Sequence, residues 1–184
     1  MKKIILAAFV MAVFFLPALA AADVAINEDN FPDEGFRLFL KDVDHDEDGV
    51  LSDYEIMLTD SFYATNYGVK NYKGIEYLTY LHILDCGGEE IENLDLTKNI
   101  RLTRLRCTGE GIKLLDLTAN VNLETLQCEN TALTGLDLTG CAKLKELECP
   151  YNMLESINVS NLSAIQEINC SNNSCFKSFS LYIF

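Results

Sequence analysis

Basic side chains are scarce: 14 lysines and arginines stand against 28 aspartates and glutamates, a formal net charge of −14. Binding nucleic acid or an anionic lipid surface needs a basic face that releases counterions, so neither is expected as the main partner and cations are. Histidine is nearly absent. His45 and His82 come without a nucleophile and an orienting acid at recognisable spacing, so no catalytic residue is assigned and the chain does not read as an enzyme. No phosphate-cradling glycine loop occurs, and Gly87-Gly88 and Gly109 read as turn residues. No cysteine precedes Cys86, which excludes a lipid-modified cysteine at the start, and no apolar run beyond residue 22 is long enough to span a bilayer. With 49 % hydrophobic and 23 % charged residues over 184 positions, the chain is neither disordered nor a multi-span membrane protein, and its length suits one globular unit or two small ones.

The first 22 residues carry an address rather than a fold. Met1-Lys2-Lys3, the apolar run Ile4 to Leu16 and the small residues Ala18 to Ala22 form a basic start, a short apolar core and a cleavage region. That pattern is a secretory signal peptide, with cleavage after Ala20 or after Ala22 both compatible. The mature chain is therefore expected outside the cytoplasm, secreted, periplasmic or at the cell surface, with no transmembrane segment.

What the chain does have is concentrated acid. Residues 23–78 hold 14 acids and 4 bases, and within them Asp44-His45-Asp46-Glu47-Asp48-Gly49-Val50-Leu51-Ser52-Asp53-Tyr54-Glu55 reads as a twelve-position EF-hand loop. Calcium takes six to eight hard oxygens at flexible geometry, which Asp44, Asp46, Asp48, the Val50 carbonyl, Ser52 through a water, and a bidentate Glu55 supply, with Gly49 at the sharp turn. Pro32-Asp33-Glu34 marks a helix start with proline in its first turn, and Phe36, Leu40, Phe39 and Val43 share one face of the helix that enters the loop. Ser52 and Glu55 are also spaced as a capping box, which by itself would make this a capped acidic turn that binds nothing. Three aspartates, a glycine and a terminal glutamate in register favour calcium, Ca2+, as the bound ion. A second such loop is missing. A lone one is expected to bind at roughly 10⁻⁴ to 10⁻³ M, as extracellular modules do, and to serve as a structural fixture.

Cys86, Cys107, Cys128, Cys149 and Cys170 fall 21 residues apart, and so do the columns Leu81, Leu102, Leu123, Leu144, Ile165 and Leu84, Leu105, Leu126, Leu147, Ile168. Further columns run through Ile91, Ile112, Leu133, Leu154, Cys175, through Leu94, Leu115, Leu136, Ile157, and through Leu96, Leu117, Leu138, Val159. A fixed period of this length means a solenoid whose units bury their apolar faces only by stacking. The unit L-x-x-L-x-C-x-x-(N/E/T)-x-L-x-x-L-D-L-T-x-N resembles the leucine-rich repeat, with cysteine at the third apolar position and the turn asparagine kept in Asn152 and Asn173. The whole chain resembles bacterial exported proteins that place a single calcium loop of the EF-hand or dockerin kind before cysteine-containing 21-residue leucine-rich repeats. Departures from the repeat are Glu89, Glu110 and Thr131 at the turn asparagine, Cys141 and Leu162 at the position of Asn99 and Asn120, and a fifth unit that decays over Cys175 to Phe179.

The expected fold class is α+β, a short N-terminal helix-loop-helix calcium hand capping a leucine-rich-repeat solenoid of about five repeats. Its parts are the leader (1–22), the calcium-binding segment (23–60), a degenerate capping repeat (61–78) and the solenoid (79–184). The resemblance implies one parallel strand per repeat on one face and a second extended piece such as Leu94 to Leu96 opposite. Alternation along the strands turns Ile83, Asp85, Gly87, Arg104, Arg106, Gln127, Glu129, Glu146, Glu148, Pro150 and Glu167 outward. That face is where the family binds partners, and it carries a basic band at Arg104 and Arg106 and an acidic patch at Glu146, Glu148 and Glu167. Asp95, Asp116 and Asp137 make another column, expected to bond to Thr97, Thr118 and Thr139 rather than to form a cation ladder. The inward cysteines are expected as mostly free thiols, since side chains projecting in parallel fit a disulfide dihedral poorly. The expected function is an exported, calcium-binding interaction or adhesion module for a protein or surface ligand that the sequence does not name. The competing readings are a small secreted enzyme or its accessory domain, and a structural fragment of a longer surface protein, the latter suggested by an end without a polar cap at Ser180 to Phe184.

Overall fold

The computed structural model describes residues 23–88, 91, 94–174 and 180–182. The expected leader, Glu89 and the decayed stretch Cys175 to Phe179 lie outside the described residues.

The chain opens with β1 (Val24–Ala25), which pairs antiparallel with β2 (Val50–Leu51). Between them lies α1 (Glu34–Val43). Its N-cap is Asp33, whose carboxylate accepts the Phe36 N–H at 2.9 Å, so Pro32 stands before the cap and not inside the first turn. The proline fixes the entry; the aspartate satisfies the orphan donor. The other carboxylate oxygen of Asp33 accepts the N–H groups of Lys70 and Asn71 at 2.9 and 3.1 Å, which ties the helix start to the loop ahead of the solenoid. Phe36, Phe39, Leu40 and Val43 are buried, the face the spacing predicts. After the acidic loop comes α2 (Asp53–Leu58), opened by the Ser52–Glu55 capping box.

β3 (Ser61–Tyr63) then begins the main sheet, followed by 3-10 turns at Ala64–Tyr67 and Ile75–Tyr77. The repeats contribute β4 (Ile83–Gly87), β5 (Arg104–Thr108), β7 (Thr125–Gln127), β9 (Glu146–Glu148) and β10 (Glu167–Asn169). β6 (Leu114–Asp116) and β8 (Gly135–Asp137) lie on the opposite side, and β11 (Ser180–Tyr182) is the last described strand. The main sheet has seven strands in the order β11-β10-β9-β7-β5-β4-β3. Every pairing from β3 to β10 is parallel, with Phe62 opposite Leu84 and then Leu84 opposite Leu105, Leu105 opposite Leu126, Leu126 opposite Leu147 and Leu147 opposite Ile168. This is a parallel β-solenoid of about five turns with few helices.

The columns of the sequence are the columns of the core. Leu84, Leu105, Leu126, Leu147 and Ile168 are buried with Cys86, Cys107, Cys128, Cys149 and Cys170 beside them. All six described cysteines are buried thiols, and the Sγ atoms approach to 3.1 Å in the Cys86–Cys107 and Cys149–Cys170 pairs. Polar spines accompany the apolar columns. Asn99 Nδ2 donates to the carbonyls of Ile75 and Leu78, and Asn120 Nδ2 to those of Leu96 and Asn99. Cys141 takes the next place in that spine with a thiol 3.7 Å from the Leu117 carbonyl, and beyond it the neighbouring Asn161 bonds the carbonyls of Leu138 and Thr139. Asn152 and Asn173 make a second spine under the turns that follow β9 and β10.

Three expectations need correction. Gly87 and Pro150 are buried rather than outward. Alternation fails there because the chain turns inward at the strand end: a Cβ on Gly87 would meet Thr108 Oγ1 at 2.4 Å, and the Pro150 carbonyl receives bonds from Asn130 and Asn152. The second extended piece is a strand only in β6 and β8, since residues 94–96 and 157–159 keep no ladder among the described residues. Pro32 lies before the N-cap Asp33 rather than in the first turn of α1; at the far edge β11 runs antiparallel to β10, with Ser180 opposite Asn169 and Tyr182 opposite Glu167.

Candidate functional site

Two places carry the residues singled out above. The first is the acidic loop between α1 and β2. Asp44, Asp46 and Asp48 each bring a carboxylate oxygen within 4.8 Å of the others, Asp44 buried and the other two exposed. Asp44 organises the loop backbone: its Oδ1 accepts the Asp48 N–H at 3.2 Å and its Oδ2 the Gly49 N–H at 2.9 Å. Gly49 sits at φ +81°, a conformation that only a residue without Cβ adopts cheaply. Asp48 Oδ1 accepts the Val50 N–H at 2.8 Å.

Glu55 is buried, and its oxygens are engaged within the protein. Oε2 accepts from the Ser52 N–H and Oγ at 2.9 and 2.7 Å, and Oε1 accepts the His45 N–H at 2.7 Å. Burial pushes this carboxyl up, but the donors from Ser52 and His45 outweigh it and hold Glu55 below the usual carboxylate range. Asp46 goes the other way, raised by loss of water and then by the charge of Asp48, with Glu55 and Asp44 adding to it. The structure thus brings three aspartates together and sets Glu55 and Ser52 beside them in the capping box. Hard oxygens at this density, with no lysine or arginine bonded to them among the described residues, are chemically suited to a hard divalent cation.

The loop is mounted firmly on the solenoid. Phe39 and Phe36 stack on Phe62 of β3, with ring centroids 4.0 and 4.9 Å away, and Tyr67 meets Phe39 edge-on while its hydroxyl donates to Asp42 at 2.7 Å. Residue 62 belongs to the main sheet, so a shift of the loop is felt by the first strand.

The second place is the outward face of the main sheet. Arg104 and Arg106 on β5 are exposed, and of the two only Arg106 meets a counter-charge among the described residues. Arg106 Nη1 pairs with Asp85 one repeat earlier at 3.2 Å, and Arg104 Nη2 donates to Gln127 one repeat later at 3.3 Å. Gln127 turns its amide to Glu146 and Glu148 at 3.2 and 2.9 Å. Glu146, Glu148 and Glu167 lie on adjacent strands and form no salt bridge among the described residues. Glu129 is exposed just past the end of β7. Asp85 was legible as a partner in advance, because it precedes Arg106 by one period.

The aspartate column on the opposite side is internally satisfied. Asp95, Asp116 and Asp137 each accept both the N–H and the hydroxyl of the threonine two residues on, and Asn158 with Ser160 repeats the arrangement. Those bonds hold all three carboxyls below their ordinary range.

No protein-family model and no curated protein matches the chain. Solved structures do. The chain is similar to an internalin C2 from Listeria monocytogenes at 23 % identity and a TM-score of 0.57, over 85 % of this chain and 72 % of that one. It is similar to an internalin, InlF, of the same organism at 19 % identity and a TM-score of 0.51, over 84 % and 54 %. The functional domain of InlJ from that organism, which includes a cysteine ladder, aligns at 19 % identity over 87 % and 50 % with a TM-score of only 0.34, too loose to relate the two cysteine sets. The chain spans between 50 % and 72 % of the length of these structures. At such identities the likeness shows the leucine-rich-repeat solenoid fold. Within the described residues no helix is long and apolar enough to cross a membrane.

Proposed function

We propose that the chain is an exported noncovalent interaction module whose N-terminal loop binds calcium as a structural ion. The carrying observation is the convergence of Asp44, Asp46 and Asp48 carboxylate oxygens to within 4.8 Å. Without a cation these charges repel one another; a divalent ion removes that cost. Asp44, Asp46, Asp48 and the Val50 carbonyl would hold it, with Ser52 acting through water and Glu55 swinging out of its capping box. The ion would supply charge neutralisation and no reaction step.

The partner surface is the outward sheet face. Arg104, Arg106, Gln127 and Glu129 border it, and Glu146, Glu148 and Glu167 give it an acidic half without internal counter-charge. A protein with a cationic patch fits that half, and the fold likeness to internalins is consistent with a protein ligand. Export is supported by the sequence pattern of residues 1–22.

A melting experiment with the mature chain tests the ion. At 10 mM calcium and a dissociation constant of roughly 10⁻⁴ to 10⁻³ M, binding adds about 1.4 to 2.7 kcal/mol, a rise in melting temperature of roughly 3 to 10 °C. Asp44→Ala with Glu55→Ala abolishes the rise. No rise in the unaltered chain refutes calcium binding. For the face, Glu146→Lys with Glu148→Lys, and separately Arg104→Glu with Arg106→Glu, should remove a captured partner while circular dichroism stays unchanged; capture by both variants refutes the assigned surface.

A further inference from the structure

We infer that the extended segment Val24–Ile26 is the second half of the metal site: it holds the Val50 carbonyl in its ligating direction, so that cation binding and docking of this segment strengthen each other. The inference rests on the calcium reading above. The loop residue that follows the ligating carbonyl is extended, and its backbone groups need a strand partner. This chain has a single loop, so a second loop of its own cannot provide one.

β1 provides it. Val24 lies opposite Leu51 and Ala25 opposite Val50, and the Ile26 N–H donates to the Gly49 carbonyl at 2.9 Å. Along an antiparallel ladder, residues alternate between facing the partner strand and facing away. Gly49 and Leu51 face β1, which leaves the backbone groups of Val50 turned away from it. The Val50 N–H shows where they turn: it donates to Asp48 Oδ1, inside the acidic loop, and the carbonyl of the same extended residue lies on that side. The pairing therefore presents as a ligand the one loop oxygen that comes from the backbone.

The segment is fixed in place by groups remote from the ion. Asn30 Nδ2 donates to the Ala25 carbonyl at 2.9 Å, and the Asn27 carbonyl accepts the Phe31 N–H at 2.9 Å. Phe31 is fully buried against Phe36 and Tyr77, at centroid distances of 5.3 and 5.6 Å. Val24 and Ile26 are half-buried against the core, and Leu51 is fully buried. None of these residues is a ligand. They are positioning residues, and by reciprocity an ion that draws the Val50 carbonyl inward also stabilises the pairing of β2 with β1.

The test is a calcium titration of the mature chain by calorimetry, with amide exchange at Ile26 as a second readout. Ile26→Pro deletes the N–H that reaches Gly49 and should weaken calcium binding about tenfold, the worth of one hydrogen bond plus a loosened ligand, whereas Ile26→Val keeps that N–H and should bind within about twofold of the parent. Asn30→Ala loosens the segment without altering the ladder and should cost about threefold, which keeps the test decisive if the proline variant does not fold. Calcium should slow exchange of the Ile26 amide in the parent. Unchanged affinity in both Ile26→Pro and Asn30→Ala, or exchange at Ile26 indifferent to calcium, overturns the inference while leaving calcium binding intact; no heat of binding in the parent overturns both.

Discussion

Replacing Asn152 by alanine removes six hydrogen bonds at once. Its Oδ1 accepts from the Thr131 N–H, the Thr131 hydroxyl and the Leu133 N–H at 3.1, 2.9 and 3.0 Å, and its Nδ2 reaches the carbonyls of Cys128, Cys149 and Pro150. The carbonyls keep other donors: Thr131 Oγ1 reaches Cys128, Asn173 Nδ2 reaches Cys149, and the Asn130 N–H reaches Pro150. The Thr131 hydroxyl keeps Cys128. The loss therefore falls on two buried N–H groups, those of Thr131 and Leu133, each costing about 1 to 3 kcal/mol when orphaned. The expected destabilisation is about 2 to 6 kcal/mol, or roughly 4 to 24 °C in melting temperature for a chain of this size. Because each turn of a solenoid contacts only its neighbours, the damage should also uncouple β9 and β10 from the turns before them, giving a two-step urea transition by circular dichroism where the parent shows one. Asn122→Ala, which removes two exposed bonds, one to the Ile100 carbonyl and one from Lys143 Nζ, is the control and should cost under about 0.5 kcal/mol. A loss below about 1 kcal/mol for Asn152→Ala refutes the assignment of this spine as a structural necessity.

The cysteines should be chemically silent. Hydrogen bonding to Cys86 and then burial push the Cys107 thiol up, Cys149 and burial do the same to Cys170, and burial with Asp137 raises Cys141 to about 11, so little thiolate exists at neutral pH. A thiol reagent should leave the six described cysteines of the native chain unlabelled and label them in denaturant without added reductant; a deficit there means disulfides and contradicts this account. The aspartate turns predict a pH signature. Folding lowers the carboxyls of Asp95, Asp116 and Asp137, so their stabilisation is present above the unfolded value of about 3.9 and is lost as pH falls through the lower folded value. Thr118→Val with Thr139→Val should lower the urea midpoint at neutral pH, and the gap from the parent should close as pH falls below the ordinary carboxylate range; a gap unchanged at acid pH would show that the aspartate bonds are not its source.

The register of the main sheet was legible because residues 21 apart share a chemical type, so Leu84, Leu105 and Leu126 could be stacked on paper before any strand was seen. The Asp95–Thr97 turn was legible for the same reason. Alternation misled at Gly87 and Pro150, since it describes a strand and says nothing of where the strand bends. The pairing of Arg106 with Asp85 was legible from the period alone, since Asp85 sits one repeat earlier, whereas Arg104 keeps its charge beside the uncharged Gln127. Nothing in the pattern announced β1, because two residues leave no periodicity, or the stacking of Phe39 on Phe62, which joins segments of different repeat character. Among the described residues the Oδ1 atoms of Asn99 and Asn120 are buried without a hydrogen-bond partner, a feature that no repeat pattern announced.

A parallel stack of equivalent turns has no intrinsic length; each finished turn is a template for the next, whether that turn comes from the same chain or from another molecule. On β10 the next strand, β11, arrives upside down. Its antiparallel bonds differ in direction from those of every pair between β3 and β10, although Leu181 still stands opposite Ile168. A reversed strand on β10 occupies the bonds that a parallel turn from another molecule would need, and so disfavours head-to-tail stacking on β10.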